Sequence, residues 1–78
     1  MDTQAMEAKA IQPHQQRVLD EKSELDAKHK KLGEFFSTPI FKGLPDVERS
    51  LLRLQFNAMA RYAAALAARI ALFDLADD

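Results

Sequence analysis

Cysteine is absent from the chain, so neither disulfides nor a thiolate metal site can staple it. Glycine occurs twice, at Gly33 and Gly43. Neither lies in a GxGxxG or GxxxxGK[ST] run, so the backbone offers no phosphate-cradling loop. His14 and His29 are the two histidines and form no HExxH-like pair, and Ser23, Ser37 and Ser50 have no nucleophile elbow around them. These absences leave no support for catalysis, a metal or a cofactor, and the expectation is a protein that is not an enzyme. Charge of one sign is missing as well: 11 Lys and Arg against 12 Asp and Glu give a formal charge of −1. The bulk charge therefore draws the chain to neither nucleic acid nor an anionic membrane. No basic start followed by an apolar run marks a signal peptide, and the longest apolar stretch, about 16 residues with two arginines, is too short and too charged to cross a bilayer. A cytoplasmic protein is expected. Alternating β-branched residues are lacking too, so strands have no basis.

What the chain does have is a long small-and-apolar segment. From Ala58 to Phe73, AMARYAAALAARIALF carries eight alanines and, as charges, Arg61 and Arg69. Coiled into a helix, it is apolar or small around most of its circumference and must be covered on several sides. A 78-residue chain lies in the size range where one core is marginal and partners are common. With disulfides and metal excluded, self-association is the expected source of cover.

The breaks fall where helices should start or stop. Residues 1–12 form an N-terminal extension of helix-permissive composition but weak periodicity, which can either fray or extend the first helix as a separate turn. Pro13 suits a first helical residue, where its missing N–H costs nothing. From there to residue 36, Val18, Lys22, Leu25, His29, Leu32 and Phe36 follow at steps of 4-3-4-3-4, a heptad seam. The opposite face is charged with mixed sign, with Glu24 and Lys28 spaced for an i,i+4 pair. Residues 37–45, STPIFKGLP, connect: Ser37 or Thr38 can cap a short turn-helix opened by Pro39 and closed by Gly43. Ile40, Phe41 and Leu44 are expected to fold back over the end of the hairpin. The second helix is expected over 46–75, with Asp46 and Glu48 at its positive end. Its seam is Leu52, Phe56, Met59, Ala63, Leu66, Ile70 and Phe73. Two seams joined by a short connection predict an all-α antiparallel hairpin. Leu51, Leu54, Ala58, Tyr62, Ala65 and Leu72 form a second stripe, which predicts an oligomer interface. A glutamate placed at Ala63 or Ala65 is expected to break assembly while sparing helix. Asp74, Asp77 and Asp78 sit at the negative end of the helix dipole and should loosen its last turn.

Lys22 and His29 occupy seam positions where apolar residues would be expected. An antiparallel hairpin sets Lys22 opposite Ala63 and Leu66, and His29 opposite Phe56 and Met59. Lys22 can lay its stem over Ala63 and send its ammonium to solvent, and His29 can be a satisfied core-edge histidine. Alternatively both line an anion pocket completed by an arginine of a neighbouring subunit, or fix register and oligomer state. Arg49, Arg53 and Arg61, with Asn57, run along one flank of the second helix. They are either a solvated flank pairing with Asp20, Glu21 or Glu24, or a phosphate-recognising edge. Arginine presents a planar fork suited to phosphate, and Tyr62 offers a ring on which a base can stack. Lys22, His29, Arg61, Tyr62 and Arg69 are the candidate ligand-binding residues.

Arg17-Val18, Glu21-Lys22, Leu25, Lys28, Leu32 and Phe35, then Phe41-x-x-Leu44-Pro45, then Glu48-Arg49, Leu52, Gln55, Ala58-Met59, Tyr62, Leu66 and Arg69-Ile70 resemble a family of small helical-hairpin proteins of tailed bacteriophages and prophages. The likeness spans residues 14–73, and His29 departs from the apolar residue expected at its position. The resemblance implies no settled activity. It implies a phage accessory protein acting on the host cell, and small phage proteins of this size and style blunt host immunity by soaking up cyclic nucleotides between subunits. By analogy at the level of fold, Lys22, Arg61, Tyr62 and Arg69 would suit such a pocket. Three functions follow as expectations: an oligomer that sequesters an anionic nucleotide, a factor that docks an apolar helix face on a host or phage protein, and a purely structural oligomer.

Overall fold

The structure, a computed structural model, describes residues 11–76. The expectations concerning residues 1–10 and Asp77-Asp78 lie outside the described residues. Helix α1 spans Pro13–Phe35, α2 Pro39–Lys42 and α3 Asp46–Ala76. Among the described residues there is no strand. The two long helices pack on each other, so the architecture is an all-α helical hairpin with a one-turn helix in its connection.

Each boundary has a local cause. Gln12 precedes α1 in extended geometry, and its backbone N–H donates to Gln15 Oε1 at 2.9 Å. Pro13 supplies a first turn that needs no donor. α1 ends at Phe35, one residue before the expected limit, and Phe36 becomes its cap. Thr38 makes the corner: its Oγ1 donates to the Phe35 carbonyl at 2.7 Å and accepts from the Phe41 N–H at 3.2 Å. One hydroxyl thus gives the Phe35 carbonyl a second donor beside the Thr38 N–H at 3.0 Å and satisfies an orphan donor of α2. Thr38→Ala removes both contacts and is expected to cost about 1 kcal/mol of stability, measurable as a lower urea midpoint at unchanged slope.

The seams meet as their spacing requires. Val18, Leu25 and Leu66 are buried, with Met59, Ala63, Ile70 and Phe73 packed against them. Lys22, His29 and Leu32 on α1 and its cap Phe36 are half-buried, as are Leu52 and Phe56 on α3. At the connection, Phe41 is buried and sets its ring against Phe35 at 5.8 Å and Phe36 at 4.8 Å between centroids. Phe41 is therefore the plug. Ile40, expected beside it, is exposed, because the single turn of α2 can turn only one of two neighbouring side chains inward. Phe36 continues to Phe56 at 5.2 Å, and Phe56 stacks on His29 at 3.9 Å. Gly33 leaves room for this stack, since a Cβ there would come within 3.1 Å of the Phe56 ring.

The core is thin. Val18, Leu25, Phe41 and Leu66 are the buried apolar residues among those described, few for a domain that must stand on one core.

Candidate functional site

The five candidate ligand-binding residues do not converge within one chain. Lys22 is half-buried, and its Nζ is 2.7 Å from Asp26 Oδ2, one turn on. This is the i,i+4 ion pair formed on α1; the expected Glu24–Lys28 pair is not formed, and both side chains line a groove together with Tyr62. His29 turns inward onto Phe56, and its Nε2 is buried without a hydrogen-bond partner. Seam geometry explains both: Lys22 is long enough to bend back to a carboxylate on its own helix, whereas the short His29 stays between the helices. Arg61, Tyr62 and Arg69 are exposed on α3.

The arginine flank divides in two. Arg49 pairs with Asp46 on the first turn of α3, and its Nε is buried without a partner. Arg53 places its guanidinium carbon 5.1 Å from the Phe41 ring centroid and 5.7 Å from that of Phe36. A guanidinium over two ring faces is held by cation–π attraction, so Arg53 roofs the aromatic plug. The arginine spacing marked a basic flank, but it could not show that the connection would fold its phenylalanines beneath one end of it. Arg61 and Arg69, beyond that end, form no ion pair with the described carboxylates of their own chain.

A groove of about 370 Å³ runs along the hairpin's side, lined by Arg17, Asp20, Glu21, Glu24, Leu25, Lys28 and Tyr62. Of the five candidates Tyr62 alone lines it. Three carboxylates against two cations leave the groove with one excess negative charge, which disfavours a phosphate inside it. It favours an incoming cation.

The outer side of α3 carries the most exposed apolar surface. Val47, Leu51, Leu54, Ala58, Arg61, Ala65, Ala68 and Leu72 follow at steps of 4-3-4-3-4-3-4, a second heptad strip turned away from α1. Its large members remain 72%, 59%, 63% and 57% exposed at Val47, Leu51, Leu54 and Leu72, and Tyr62 at its margin is 45% exposed. Six of the eight positions coincide with, or adjoin, the stripe expected to form an interface; Arg61 takes the seam place there assigned to Tyr62. Among the described residues nothing covers the strip. Among the described residues no group of three or more His, Asp or Glu could hold a metal ion, and no helix is long and apolar enough to cross a membrane.

The family model described as Sequestin matches residues 12–72. The chain belongs to the Sequestin family. No curated protein and no solved structure matches. In this Sequestin-family chain the matched span opens at the Gln12 cap and closes at Leu72. It therefore takes in α1, all but the last turn of α3, the Thr38 corner, the aromatic plug and the outer strip of α3.

Proposed function

We propose that this member of the Sequestin family is a non-enzymatic binding protein that sequesters a small anionic ligand between copies of itself. The ligand class we assign is a cyclic nucleotide of the kind that signals in host immunity. The setting is that of a phage accessory protein in the cytoplasm of an infected bacterium. The family's name speaks of sequestration, which supports holding a ligand rather than turning it over. The observation that carries the reading is the placement of Arg61 and Arg69, exposed, unpaired with the described carboxylates and on either side of Tyr62 along α3. Two guanidiniums suit phosphate oxygens, and the phenol ring suits a base. Lys22 and His29, committed to Asp26 and Phe56, contribute less.

Thermal unfolding with a panel of cyclic di- and trinucleotides tests the reading. A ligand that binds only the native state, at a hundred times its Kd, adds about 2.7 kcal/mol, which for a chain of this size raises Tm by more than about 10 °C. Arg61→Ala combined with Arg69→Ala is expected to abolish the ligand-dependent rise in Tm. A flat panel, with specific capture of one host or phage protein, would replace this reading by the protein-docking one. The exposed leucines of the outer strip favour that alternative.

A further inference from the structure

The outer strip of α3 is a heptad seam that no described residue of the chain covers, about 37 Å long from Val47 to Leu72 at 1.5 Å per residue. We propose that it is covered by the same strip of a second copy, laid antiparallel, giving a two-fold dimer. This deepens the reading of a self-associating protein by naming the surface, the direction and the register. It stands on the strip and not on the ligand.

Shape selects the direction. Run parallel, the strips would set like against like in every layer: leucine on leucine at one end, alanine on alanine through the middle, and Arg61 against Arg61 of the second copy. Helix axes cannot stay evenly spaced along such a ladder. Run antiparallel, the strips can be set so that Val47 meets Leu72, Leu51 meets Ala68, and Leu54 meets Ala65. Each inner layer then joins a large residue to a small one, the alternation by which close-packed layers interdigitate. Arg61 falls against Ala58, where a small side chain leaves room for its stem.

The groove supplies the complementary charge. Arg61 is the one charged member of the strip, and in this register it lies one helical turn from Tyr62 of the second copy. Beside that tyrosine lies the groove in which Asp20, Glu21 and Glu24 outnumber Arg17 and Lys28. The strip's only cation thus arrives beside an acidic recess, and the two-fold axis makes the contact twice. The same register brings Arg61 of one copy beside Tyr62 of the other, so that the arginine and the ring assigned to the ligand come from different copies.

The chain's lack of cysteine permits a clean test. Leu54→Cys and Ala65→Cys variants of the full chain, mixed and oxidised, are expected to form a mixed disulfide, because the register brings these positions within bonding reach. Ala65→Cys alone is expected not to cross-link, its two copies being offset by about 16 Å along the helix. Efficient cross-linking of Ala65→Cys alone would establish the parallel arrangement and overturn the proposal. Sedimentation provides the second arm: the wild type and Ala64→Glu, a change on neither seam, should run as dimers, and Leu54→Glu as a single copy with the same helical circular dichroism. A wild type that stays a single copy at every concentration, or a Leu54→Glu dimer, would refute the interface. A dimer whose Tm ignores every nucleotide would leave the interface standing and remove the ligand reading alone.

Discussion

Leu66→Ala is expected to unfold most of the protein at room temperature when hairpins are kept dilute. Leu66 is 1% exposed, the most completely buried side chain described, and it joins Val18 and Leu25 at the centre of the packing between α1 and α3. Truncating a buried leucine removes its transfer free energy and leaves a cavity, together costing about 3–5 kcal/mol. A core of this size supplies at most about 3–5 kcal/mol of net stability. The loss and the reserve are therefore equal in scale, and the folded fraction collapses. Two neighbours limit relief by relaxation. Ala63, one turn away, has no atoms to swing into the cavity, and Met59 and Ile70 already pack on the cluster. Circular dichroism at 222 nm followed against urea checks the expectation. A midpoint within experimental scatter of the wild type would mean that the hairpin draws its stability from elsewhere.

The fold was legible because its two periodicities are local and mutually consistent. Val18, Leu25 and Leu66 stand at seam positions, and Lys22 and His29, which break the apolar pattern, still take their seam places half-buried. Register followed from the same spacing: His29 was expected opposite Phe56, and the rings stack at 3.9 Å. The connection was legible through Thr38, Pro39 and Gly43, whose chemistry suits one short helical turn. The candidate site was less so. Lys22 found Asp26 on its own helix, and nothing in heptad spacing ranks one carboxylate above another for a flexible ammonium. Arg53 found two phenylalanines that lie far from it in sequence and reach it only when α2 folds back. Local pattern reports which face a residue occupies. Where a long polar side chain ends depends on what the chain's return brings alongside.

Ala63→Glu and Ala65→Glu, which the alanine-rich stretch marked as equivalent, are expected to behave differently. Ala63 is half-buried and packs against the Val18, Leu25 and Leu66 cluster. A glutamate there must bury its carboxylate against apolar side chains or lever the helices apart. With overpacking costing about 1–3 kcal/mol and an uncompensated polar group about as much again, the hairpin itself should unfold. The earlier expectation that this substitution breaks assembly while sparing helix is corrected by that position. Ala65 is exposed on the outer strip, where a glutamate reaches water at once in the single chain. Its effect on hairpin stability should lie within about 0.5 kcal/mol, as for surface changes generally, and any larger effect should appear only where copies meet. Thermal melts taken at low and high protein concentration separate the two. Ala63→Glu is expected to be low-melting or unfolded at both, whereas Ala65→Glu should match the wild type when dilute and lose the concentration-dependent rise in Tm that self-association produces. Equal damage from both substitutions under dilute conditions would mean that α3 turns a different face toward α1, and the inner seam through Ala63 and Leu66 would have to be reassigned.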